Sequence, residues 1–316
     1  MKKSVIGSIA IVLFLVSGVS GCYWEEFSIY VRDGDQINPS VYEHIIVWQD
    51  NRNGGYDIYG YNMATDTEFP ICLESRWQEK PAIHGDFVVW QDMRNGTRDI
   101  YGYNLVTEEE FPICVASGDQ EKPAIHGDIV VWQDSRSGFG DIYAFNLSTS
   151  QVFPIVIDPA IQSNPSIYGD IVVWEDQRNG GIDIYGYDLT TLTEFPIVTA
   201  PYAQRFPDIY EHFVVYQDSR NGNSEIYYYD LWTSTEYRVT TNSSVQEHPR
   251  IFQYVIIWHD YRQGNWDIYG FYLTTLDEFC ITDTLYNQTW PEISGNMIVW
   301  QDNRSGKPDI YGVILY

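Results

Sequence analysis

Short runs of β-branched and aromatic residues, bounded by Gly, Asn, Asp or Ser, follow one another along almost the whole chain. Residues 123–157 show the pattern. An apolar run at 123–126 meets a Gly127-Asp128 turn, and residues 129–133 form a second run. Residues 135–140 make a glycine-bearing loop, 141–146 a third run, 148–150 a turn, and 152–157 a fourth run. Runs this short, rich in Val, Ile, Tyr and Trp, predict strands joined by tight turns, with no helical period between them.

The pattern repeats. One aromatic position recurs every 42 residues as Trp48, Trp90, Trp132, Trp174, Tyr216, Trp258 and Trp300. The same step links Pro39 to Pro291, Asp50 to Asp302, Arg52 to Arg304, Gly54 to Gly306, Tyr59 to Tyr311 and Gln36 to Gln288, all without exception. Four strands in a repeat of this length are the mark of a β-propeller, and seven copies predict seven blades. Helical and leucine-rich solenoids lack the required pattern, and an open stack would leave its terminal faces wet.

The ring closure is also predicted. An outer-strand aromatic occurs at Phe69, Phe111, Phe153, Phe195, Tyr237 and Phe279, but the next position lies past residue 316. Counting back from Phe69 reaches Phe27, in a stretch resembling the one around Phe69. The N-terminal strand is therefore expected to complete the seventh blade. The fold class is all-β, a single seven-bladed propeller over residues 23–316.

The copy at 164–191, NPSIYGDIVVWEDQRNGGIDIYGYDLTT, resembles the TolB-like, WD40-like propeller repeats. The resemblance covers nearly all of 25–316, although the tryptophan usual early in the first strand is replaced by Val41, Ile83 or Ile125. It implies a module of the prokaryotic cell envelope or an accessory domain of a peptidase.

Lys2 and Lys3, an apolar run over 9–16 and small residues up to Gly21 predict a secretory signal over 1–21. Val19-Ser20-Gly21-Cys22 resembles a prokaryotic lipobox, which implies lipidation of Cys22 and membrane attachment through that anchor only. An ordinary cleaved signal is the alternative. Either way the expected location is extracytoplasmic. Three cysteines follow, Cys72, Cys114 and Cys280, an odd set that does not suggest a disulfide framework. Cys72 and Cys114 share one repeat position and are read as small core residues. The net charge of −26 argues against nucleic-acid partners.

The motif Asp50-x-Arg52-x-Gly54-x-x-Asp57 has acids near a glycine, as calcium loops do, but an arginine stands where a ligand should. It is read as scaffold, with Asp50 accepting turn N–H groups, Gly54 at positive φ, and Arg52 pairing with Asp57. The Trp48 series is read as core, and the Gln36 series as ties from inter-blade loops to backbone. No metal-ligand spacing and no cofactor motif is read.

Function is expected where the repeat is broken. The residues flanking each proline vary, and they are predicted to bring Phe206, Asp208, His248, Arg250, Trp290 and Glu292, with Lys80 and Lys122, to one mouth of the axial channel. Trp77 and Tyr202 are placed near its rim. Sequons at Asn95, Asn146, Asn242, Asn287 and Asn303 matter only in a host that glycosylates secreted proteins. The expected function is a monomeric, non-catalytic surface propeller recognising a protein, peptide or glycan. The alternative is a propeller glycoside hydrolase or lyase using Asp208 and Glu292, both favoured in the ionised form by Arg250.

Overall fold

A computed structural model describes residues 24–315. It contains seven four-stranded antiparallel sheets. The first blade runs β2 (Gln36–Tyr42), β3 (Ile45–Asp50), β4 (Asp57–Asn62) and β5 (Thr67–Cys72), and the next five follow the same order. In the seventh, Gln288–Ser294, Met297–Asp302 and Asp309–Ile314 are completed by β1 (Glu26–Tyr30). The register pairs Glu26 with Val313, Phe27 with Gly312 and Ser28 with Tyr311. The predicted fold and closure are both found.

Each blade cannot bury both its faces alone, so the core lies between blades. Trp48, Ile46 and Tyr59 of the first blade pack with Val299 and Ile310 of the last, and Ile29 of β1 joins them. The Trp48 series is fully buried, including Tyr216. Each indole N–H needs an acceptor in that setting and donates to the aspartate two residues on, as Trp90 does to Asp92 at 2.9 Å.

That aspartate organises the loop between the second and third strands. Asp50 accepts the Arg52 backbone N–H at 2.9 Å and the Arg52 guanidinium, which lies 4.0 Å over the Tyr59 ring and reaches Glu68 at 2.7 Å. The expected Arg52–Asp57 pair does not form. Asp50 is fully buried and requires the cation, whereas Asp57 takes the Asn53 amide at 2.7 Å. Gly54 has φ +96, as its turn role requires. Gln36 is fully buried and its amide donates to the Gly34 carbonyl at 3.0 Å, the expected backbone tie, which Gln78 and Gln162 do not make among the described residues. Cys72 and Cys114 are buried free thiols, whereas Cys280 is disulfide-bonded, so the odd cysteine count was no guide to bridging.

Candidate functional site at the channel mouth

The seven first strands pack against one another in sequence, and β2 closes the circle against Gln288–Ser294. Their half-buried side chains therefore line the axis in three tiers.

The upper tier is the residue before each proline. Residues preceding proline normally stay extended, yet Asn38, Lys80, Lys122, Asn164, Phe206, His248 and Trp290 all have φ between 50° and 55°. The ladder between the first and second strands is bulged there, as between Ile37 and Ser40. The bulge throws the backbone N–H off the ladder and turns the side chain to the mouth. The stranded N–H is recovered by the preceding blade: Lys80 donates to Gln49 Oε1 at 2.8 Å, Lys122 to Gln91 at 3.0 Å, Phe206 to Glu175 at 2.8 Å and His248 to Gln217 at 3.2 Å.

On this tier Phe206, His248 and Trp290 form a run of rings with centroids 4.0 Å apart at both contacts. Trp290 is 37% exposed. His248 is buried, and burial pushes its imidazole down to about 2, helped by His259, Arg250 and Lys80. Burial also lowers Lys80 and Lys122, with Lys122 adding to the effect at Lys80. Neither lysine makes an ion pair with a described residue.

Beneath lie Asp208, Arg250 and Glu292. Arg250 Nε donates to Glu292 Oε1 at 2.8 Å, while Asp208 accepts Ser166 Oγ at 2.8 Å and the Ile251 N–H at 2.9 Å. Arg250 does favour ionised Glu292, as expected, but it does not decide the balance. Burial raises the Glu292 carboxyl by more than Arg250 lowers it.

The third tier was not foreseen. Tyr42, His84, His126, Tyr168, Tyr210 and Phe252 touch in order, with centroids 4.3–4.8 Å apart. Ser294 breaks the series. The signal was present three residues after each proline, but an aromatic there reads equally as core.

His259 was missed for a similar reason. It replaces glutamine in the Trp-Gln-Asp triplet, as Glu175 does in the fourth blade. Glu247, His248 and His259 bring donor atoms within 4.8 Å of one another. However, His259 Nδ1 accepts the Trp290 N–H at 3.3 Å, so its proton sits on Nε2, which lies 3.8 Å from Glu247. His259 thus reproduces the polarity of Gln91, whose Nε2 donates to Glu79 at 3.0 Å. A metal on Nε2 would need the opposite tautomer and would break that bond.

Trp77 and Tyr202 are 49% and 70% exposed on the loops entering the first strands. Among the sequons, Asn95, Asn287 and Asn303 are exposed, and Asn146 and Asn242 are half-buried. The proposed signal and Cys22 lie outside the described residues.

No family model and no curated protein matches the chain. Solved structures do. The oligogalacturonate lyase of Vibrio parahaemolyticus is 11% identical with TM-score 0.72, covering 93% of this chain and 94% of that one. TolB of Acinetobacter baumannii is 13% identical with TM-score 0.54, over 83% and 77%. The tricorn protease is 15% identical with TM-score 0.56 over 85% of this chain, which spans only 30% of that protein. The expectation of a non-enzyme is corrected by these likenesses, since a lyase and a protease share the architecture. What they establish for this chain is the TolB-like propeller fold.

Proposed function

We propose that this protein is an envelope propeller that recognises a peptide or glycan partner at the mouth formed by Lys80, Lys122, Phe206, His248 and Trp290. One observation carries the reading. The outer loops repeat the same aromatic–Asp–Arg–Tyr arrangement blade after blade, while the seven mouth positions, held by one shared bulge, carry five different residue types. An exposed tryptophan in a run of rings, together with lysines that have no carboxylate partner within ion-pair distance among the described residues, is the composition of a binding hot spot. TolB supplies the envelope setting by analogy of fold alone.

A glycan and peptide array probed with wild type and with Trp290→Ala tests this. A set of ligands should be retained by the wild type and weakened at least tenfold by the variant. An array pattern indifferent to Trp290 refutes the mouth as the recognition site.

Glu292 favours a second reading. A half-buried carboxyl raised above its ordinary value by desolvation, held by Arg250 in the channel, suits proton transfer to or from a bound glycan. Release of shortened or unsaturated products from an acidic polysaccharide, abolished in Glu292→Gln, is the expected signature. Ligand binding without such products discards this reading.

A further inference from the structure

The fifth blade departs from the repeat in one more region, on the face opposite the mouth. In four other blades a third-strand glycine lies under the outer-strand phenylalanine, and the third blade has the small Ala144 there. A Cβ on Gly60, Gly102, Gly186 or Gly270 would meet Phe69, Phe111, Phe195 or Phe279 at 2.4–2.8 Å, closer than real side chains approach. The fifth blade carries Tyr228 at this position. The outer ring cannot then lie over bare backbone. Tyr237 stacks on the Tyr228 ring instead, with centroids 4.8 Å apart and planes 15° off parallel, and is 43% exposed.

Tyr228 continues into a connected set of rings. It meets Phe213 at 5.9 Å, and Phe213 meets His212 at 4.0 Å and Tyr254 at 6.3 Å. The imidazole of His212 lies flat under Trp232, 3.5 Å away and 5° off parallel. Trp232 is 78% exposed, where the other copies carry Ala64, Val106, Ser148, Thr190 and Thr274. Its backbone N–H is fixed by Asp230 at 2.9 Å, so the indole is both exposed and held.

We propose that this patch is a carbohydrate platform, binding a neutral oligosaccharide whose apolar ring faces stack on Trp232 and Tyr237. Sugars present flat C–H faces with hydroxyls at their edges. They suit rigid exposed aromatics with a carboxylate alongside, here the exposed Glu211. His212 Nδ1, in a residue 92% buried, has no hydrogen-bond partner among the described residues and stands 3.9 Å from Glu211. A protein partner would have to desolvate the Glu211 carboxylate, which is costly without a cation. Anionic ligands are disfavoured because no lysine or arginine occurs in any turn on this face. The platform does not depend on the channel mouth being a binding site.

The test is an array of neutral oligosaccharides, followed by tryptophan-fluorescence titration with the best-retained one. Wild type should bind, and Trp232→Ala should weaken binding at least tenfold. Tyr228→Gly, which restores the residue of five of the other six blades, should also weaken it while keeping a cooperative melt. Val106→Ala, at the same turn position of the second blade, should leave it unchanged. The proposal is overturned if wild type retains no neutral glycan, or if Trp232→Ala binds as well as wild type. Protein capture that depends on Trp232 without glycan binding also overturns it.

Discussion

The loops between second and third strands and the first strands of the same blades obey opposite rules. At Asp50-x-Arg52 every copy repeats one solution: a buried carboxylate, a backbone N–H donating to it together with an indole in six of the seven blades, and a guanidinium clamped over a tyrosine. In the first strands only the backbone is repeated. The bulge and its positive φ recur in every blade, while the side chain it presents changes from lysine to histidine to tryptophan. The first region is under packing and desolvation constraint from all sides, so departures are expensive. The second faces an opening, where a change of side chain costs the fold little. Uniformity marks scaffold here, and variation on a uniform backbone is what the proposed recognition surface rests on.

The sharpest way to break this comparison is at the ring closure. Deleting residues 24–31 removes β1, exposes the edge of Asp309–Ile314 and uncovers the cluster containing Ile29. Cooperative unfolding by circular dichroism should be lost. A deletion mutant with an unchanged melting curve would show that the closure contributes nothing. Phe27 is only half-buried, so the strand pairing and Ile29 carry more of this effect than its ring does.

Next in size is the scaffold loop. Arg262→Ala leaves Asp260, fully buried, without its cation and strips Glu278 of its partner. A loss of about 2–3 kcal/mol is expected by chemical denaturation, with ligand retention on the array unaltered. Added calcium should not shift the wild-type melt. A calcium-dependent rise would return the loop to the metal reading.

The smallest effect sharpens the picture of that same loop. Burial pushes Asp267 up to about 7, and one of its oxygens has no hydrogen-bond partner among the described residues. A carboxyl with a folded value above its unfolded one binds more protons when folded. Stability should therefore fall as pH rises between roughly 4 and 7, by about 1–3 kcal/mol. Asp267→Asn should flatten that slope in denaturant titrations at several pH values. A variant with the same slope as wild type would assign the pH dependence elsewhere.

The scaffold was legible because identical constraints wrote identical residues at a 42-residue step. Errors arose where one residue had two geometrically open partners. Arg52 was assigned to Asp57 because the two are near in sequence, whereas Glu68, its actual second partner, belongs to the next strand but one. His259 went unnoticed because only the positions beside the prolines were compared. The Tyr228–Tyr237 stack is invisible as a motif, since it arises when one side chain displaces another across a strand pair.

Blade number, strand count and ring closure were determined by the sequence alone, because repeated burial imposes the same apolar and turn residues on every copy. The tertiary structure decided which side chains share a space. The bulge that aims the mouth residues, the tautomer of His259 and the platform under Trp232 all depend on packing between strands and blades. Contacts of that kind depend on three-dimensional distance, and a linear pattern carries no record of it.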